Sequence, residues 1–155
     1  MVRRIVLFLA LFFVALTSGA AFAIWLDYNP AGMSPAFYTE KMQHAIRVFT
    51  VPLPTVVILG VFFTIVSTFL ARRDRLSFYL LIVASICVIA VALITAFGNI
   101  PINNQIITWK VDSPPSNWME LGEKWWRFQT VRTFLQITAL AFVIMSTLVR
   151  RDILT

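Results

Sequence analysis

Charge, histidine and cysteine are all scarce in this chain, and each shortage removes a class of function. Asp, Glu, Lys and Arg make up 13% of the residues, where a soluble domain carries about 25%. With 59% hydrophobic residues, the chain has too little polar surface for a globular fold in water. There is one histidine, His44, and one cysteine, Cys87. An intrachain disulfide is impossible, thiol exchange lacks its second thiol, and no cluster of His and Cys with metal-ligand spacing exists. No metal and no cofactor are expected from the residues. Cys87 reads as a small apolar filler inside a helix.

The excess lies in apolar runs. Four blocks, residues 5–26, 48–70, 76–97 and 131–149, have 19 to 23 residues each. At about 1.5 Å per helical residue, each can cross a hydrocarbon core of about 30 Å. The expected fold is all-α: residues 1–155 form one integral membrane domain, a four-helix bundle with interfacial helical segments on its outer side.

The net charge of +6 suits a nucleic-acid binder at first sight, but its placement argues for topology instead. Arg3, Arg4, Arg72, Arg73, Arg75, Arg150 and Arg151, with Asp74 and Asp152, give one side of the bundle a balance of +5. The remaining charges, Lys41, Arg47, Lys110, Lys124, Arg127 and Arg132 against Asp27, Glu40, Asp112, Glu120 and Glu123, leave the other side at +1. This is the positive-inside pattern. It predicts an inner-membrane protein with both termini cytoplasmic, a lipid bilayer as partner and no nucleic acid.

The N-terminus also matches a secretory signal: Arg3-Arg4, an apolar run and Ala21-Phe-Ala23. The apolar run continues through Ile24, Trp25 and Leu26, and Ala15, Gly19 and Ala23 make two small-xxx-small steps suited to close helix packing. An uncleaved first span is the preferred expectation. Beyond it, Ser34 and Pro35 have the chemistry of an N-cap and first helical residue, opening a helix to about Thr50. Glu40 and His44 share one face of it, with Lys41 beside Glu40. Pro52 and Pro54 predict a kinked or irregular outer end for the second span. The arginine turn makes the second and third spans antiparallel neighbours. Gly98 and Pro101 are expected to end the third span.

Most of the polar chemistry falls after that point. Asn99, Asn103, Asn104 and Gln105 bring four amides to the outer surface, each able to donate and accept. Asn117, three residues before Glu120, resembles a capping arrangement. In the helix expected from Trp118 onward, Trp118, Gly122, Trp125, Gln129, Arg132 and Gln136 fall near one face, because steps of three and four stay together. A polar stripe entering a membrane helix faces protein or a cavity, since lipid would penalise it. Trp126 and Phe128 read as interfacial belt. Asp27, Glu40 and the asparagine segment are the candidate partners of Arg132.

Asn99-Ile-Pro-Ile-Asn-Asn104, then Trp118 and Lys124-Trp-Trp-Arg-Phe-Gln-Thr-Val-Arg-Thr133, resemble the anthrone-oxygenase-like family of small four-span membrane proteins, mostly of unknown function in bacteria. The resemblance implies that Asn103, Trp118, Trp125, Arg132 and Thr133 occupy family positions. It also implies a cofactor-independent oxygenase acting on a lipophilic aromatic that enters from the bilayer. Where the family often has histidine or asparagine before Val-Arg-Thr, this chain has Gln129 and Thr130, and glutamine cannot act as a base. The remaining bases are His44, Asp27 and Glu40.

The expected site is therefore an outward-facing pocket for a lipophilic, aromatic or quinone-like molecule. His44 and Arg132 are its catalytic candidates. Asn99, Asn103, Asn104, Trp118, Trp125, Gln129, Thr133, Gln136 and Asp27 are its binding candidates. A non-catalytic accessory or lipid-binding subunit is the alternative, in a homo-oligomer or a membrane complex. A small transporter or channel is disfavoured, because no charge lies in the middle of a span.

Overall fold

The computed structural model describes residues 1–149. Arg150, Arg151 and Asp152, counted above among the cytoplasmic charges, lie outside the described residues. The helices are α1 (Val2–Asp27), α2 (Pro35–Phe49), α3 (Pro52–Leu70), α4 (Arg75–Ile94), α5 (Ile100–Ile106) and α6 (Trp118–Leu148), with a π-helical turn at Thr95–Asn99 joining α4 to α5. Four continuous helices, Val2–Asp27, Pro52–Leu70, Arg75–Ile106 and Trp118–Leu148, are long and apolar enough to cross a membrane. The chain is a multi-pass, all-α membrane protein.

The four long helices close into a ring, α1 against α3 and α6, and α4 against α3 and α6. At the end holding the arginine turn, the core is Leu7, Ala71, Leu81, Ala84 and Val143. The middle holds Val14, Cys87, Val88 and Ala139. The far end is aromatic, built on Tyr38, Met42, Ile102, Ile106 and Trp125. Water cannot satisfy polar groups in the bundle, so hydroxyls stitch the helices to one another. Ser18 Oγ donates to the Gln136 carbonyl at 3.0 Å, and Thr68 and Ser85 hydroxyls meet at 2.9 Å. At the arginine turn, Asp74 caps α4, accepting from the Ser77 amide at 3.4 Å, and faces Arg3 at 3.6 Å.

Several local expectations change. On α1 the buried residues are Leu7, Ala10, Val14, Thr17, Ser18 and Ala21. Ala15, Gly19 and Ala23 are exposed. The hydroxyl-bearing face, which can bond across to α6, is the one that packs. The irregular outer end expected of the second span is a break at Thr50-Val51: α2 ends at Phe49 and Pro52 opens α3 as a new helix, where its missing amide costs nothing. Gly98 and Pro101 do not end the third span, which runs on to Ile106. The wider π turn resets the hydrogen bonding just before Pro101, so the ring meets a helix start rather than a helix interior. Asn117 stands at the start of α6 without a side-chain capping bond.

Gly98 has a packing role. A Cβ there would lie 2.9 Å from Phe128 Cγ and 3.0 Å from both Cδ atoms, so α6 rests on the π turn through the face of that ring. Gly98→Ala is expected to cost about 1–3 kcal/mol by overpacking, read as a lower melting temperature in detergent. Adding Phe128→Ala should recover part of the loss; strictly additive effects would refute the contact.

Candidate functional site

The aromatic end of the bundle encloses a cavity of about 420 Å³, within the range of about 300–1,000 Å³ usual for ligand sites. Every element contributes to its wall: α1 through Thr17, Ala21 and Ile24, α2 through Met42 and Phe49, α3 through Leu53 and Val57, α4 through Val91, and α6 through Trp125, Arg132 and Gln136. The wall is mainly apolar. Most of its polar groups come from the π turn and α5 on one side and from α6 on the other, with Thr17, Tyr28 and Thr50 added from the ends and faces of α1 and α2.

Arg132 is the only charged residue among those lining the cavity. Its Nη1 donates to Thr95 Oγ1 at 3.1 Å, and its Nη2 donates to Gln129 Oε1. Both acceptors are neutral. No ion pair to Arg132 occurs among the described residues: the acids near other cations are Asp74 by Arg3, Asp27 by Lys41 and Glu123 by Arg127. An arginine within a membrane helix is costly unless it faces protein or a cavity, and here the positive charge is held without a described carboxylate to offset it.

Gln129 explains how. It is fully buried at 0% exposure, and its Nε2 donates to the Ala21 carbonyl at 2.9 Å and to Thr133 Oγ1 at 3.3 Å. Thr133 Oγ1 also reaches the Ala21 carbonyl, at 3.1 Å. Gln129 is thus anchored to α1 through its amide nitrogen and presents its oxygen to Arg132. Across the cavity, Trp125 Nε1 donates to Asn103 Oδ1 at 2.7 Å, and Asn99 Nδ2 donates to the Trp125 carbonyl at 3.3 Å. Three of the lining residues keep a buried polar atom without a hydrogen-bond partner: Arg132 Nε, Asn99 Oδ1 and Gln136 Oε1. Such atoms cost about 1–3 kcal/mol each when unsatisfied, so the polar side of this wall is held at some expense to stability.

The sequence model of the anthrone oxygenase family matches residues 42–142, from α2 to α6, which takes in the cavity residues of every element except α1. The chain belongs to the anthrone oxygenase family. No curated protein and no solved structure matches it.

In this anthrone oxygenase family member, the residues named from sequence separate by position. Asn99, Asn103, Asn104, Trp125, Arg132 and Gln136 all line the cavity. Gln129 and Thr133 stand behind Arg132 and against α1. Trp118 packs on Tyr38, ring centroids 5.6 Å apart, away from the cavity wall. Asp27 does not reach Arg132: its Oδ1 and carbonyl both receive Lys41 Nζ at 2.7 Å, a bond that ties the end of α1 to α2. His44 is exposed and absent from the cavity wall, as is Glu40. The face of α2 turned to the cavity carries Met42, Ala45, Ile46 and Phe49, and a 100° step per residue points His44 elsewhere.

Tyr28, Thr95 and Gln43 were not singled out from sequence. Tyr28 lines the cavity. Its hydroxyl is pushed above the usual phenol range by burial and, secondarily, by Asp27, so it is a donor and not a base near neutrality. Gln43 Nε2 donates to the carbonyls of Ile106 at 3.0 Å and Trp109 at 2.8 Å. This closes the end of α5 and seats α2 over the cavity. No feature of the local sequence marks Gln43 or Thr95 for these roles, since both depend on partners brought by distant helices. Among the described residues, no three His, Cys, Asp or Glu side chains come together as metal ligands.

Proposed function

We propose that this family member takes a lipophilic aromatic ketone of the anthrone type into the cavity and promotes its oxygenation by dioxygen. One observation carries the reading: a single guanidinium, unpaired with any described carboxylate, lines an otherwise mainly apolar chamber. Such a group favours a ligand on which negative charge develops. Loss of a proton from the methylene carbon of an anthrone gives a carbanion whose charge spreads onto the ketone oxygen. Arg132 would hold that oxygen, with Trp125 beside it on α6 and Asn103 on α5 completing the polar part of the wall. Electron transfer to dioxygen and collapse of the radical pair form the new C–O bond. The resulting hydroperoxide loses water, so that a CH₂ group and O₂ become C=O and H₂O.

No Asp, Glu or His lines the cavity among the described residues. The proton therefore passes to water or hydroxide, and Arg132 acts by raising the acidity of the bound molecule. The charge asymmetry supports a cytoplasmic arginine-rich end, and with that orientation the cavity lies toward the outer side. The missing base also favours a second reading, binding of the same kind of molecule without turnover. Oxygen uptake separates the two. Purified protein in liposomes should consume one O₂ per anthrone and yield the quinone faster than protein-free liposomes. Binding at an unchanged background rate would leave only the second reading, and neither binding nor uptake would remove both.

A further inference from the structure

We propose that the cavity exchanges its ligand sideways with the bilayer, through the seam between the start of α3 and the π turn with α5. The inference rests on the cavity being a ligand site and not on the chemistry performed there. The wall is not uniformly closed. Its exposed members are Phe49, Thr50, Pro54 and Ile58 on one side and Ala96, Ile100 and Asn104 on the other. All of them flank this one seam. Ile58 is 66% exposed, Ile100 41% and Phe49 37%. The lining residues on α1, α4 and α6 are buried or half-buried instead.

The chemistry of this rim identifies the phase it meets. Phe49, Pro54, Ile58, Ala96 and Ile100 are apolar, and all but Phe49 lie on the helices Pro52–Leu70 and Arg75–Ile106, which are built to cross the membrane. The polar rim residues, Thr50 and Asn104, stand nearer the end covered by α2. An opening to water would place polar groups on its lip and apolar ones within. Here the part of the lip formed by Pro54, Ile58, Ala96 and Ile100 is hydrocarbon, and the charged Arg132 lies inside. Pro54 contributes no amide donor to the first turn of α3, so the lip can meet acyl chains without an additional unsatisfied backbone group.

Tryptophan quenching in proteoliposomes tests this without any substrate. Trp125 lines the cavity yet is only 5% exposed, so its emission, taken as wild type minus Trp125→Phe, reports what reaches the interior. Phosphatidylcholine with dibrominated acyl chains should remove most of that emission, while iodide in the water leaves it unchanged. Ala96→Phe, which fills the lip, should restore it, and Ala96→Ser should not. If Trp125→Phe does not fold, wild type against Ala96→Phe in the brominated lipid carries the same comparison. Equal quenching in those two proteins, or quenching of Trp125 by iodide, would overturn the portal. Failure of oxygen uptake with intact lipid quenching would remove the proposed reaction and leave the portal standing.

Discussion

Arg132→Gln should slow anthrone oxygenation by about 100-fold or more, the usual loss when a preorganised donor to a developing oxyanion is removed. Glutamine keeps a hydrogen-bond donor but loses the charge, which has no substitute in the cavity wall. Arg132→Lys should fall between the two. It retains a positive charge, but as a point donor it cannot contact Thr95 and Gln129 in two directions at once. Stability moves less than activity. Thr95 Oγ1 also donates to the Val91 carbonyl at 2.8 Å, so losing the arginine strands chiefly Gln129 Oε1. Oxygen uptake and melting temperature measured on the same preparations separate the two effects. Unchanged uptake in a folded Arg132→Gln protein would mean that the cavity is not where chemistry happens.

The order of those effects follows from the length scale of each interaction. A hydrophobic wall residue contributes contact to the ground state and the transition state alike, and its removal weakens binding without changing the chemical step. A charge facing a carbanion acts mainly when the carbanion forms, and low polarity around it strengthens the effect. The same low polarity makes the charge costly in the empty protein. The chain meets that cost with Thr95 and Gln129, neutral acceptors that orient the guanidinium without quenching it.

Which of these features the sequence discloses depends on how far apart the cooperating residues lie. The spans follow from hydropathy, which needs only adjacent residues. The stripe Trp118, Gly122, Trp125, Gln129, Arg132 and Gln136 follows from helical period; Gly122, Trp125, Gln129 and Gln136 are buried on α6, while Trp118 and Arg132 are half-buried. Gly98 and Pro101 normally punctuate a helix and so suggest an end near Phe97; a π turn has no compositional mark that distinguishes it from an end. Scarcity of other bases points to Asp27 and His44, but scarcity says nothing about direction. Asp27 is drawn off by Lys41 at 2.7 Å, and the register of α2 turns His44 away from Met42 and Ile46. Gln129 could be placed on the right face of α6, but not divided between a nitrogen serving α1 and an oxygen serving Arg132. That division is set by the Ala21 carbonyl, more than a hundred residues away in the chain.

Gln129→Glu separates charge from position. The new carboxylate would keep the acceptor that holds Arg132 and turn a charge–dipole contact into an ion pair, so the guanidinium would stay oriented or become firmer. The donor to Ala21 is lost, but Thr133 Oγ1 still reaches that carbonyl at 3.1 Å, and the folded state should survive. If the free positive charge drives the reaction, oxygenation should fall by about 100-fold, close to Arg132→Gln, because the developing anion now faces a neutralised pair. If Gln129 served only to orient Arg132, the glutamate variant should match the wild type, and Gln129→Leu alone should be slow.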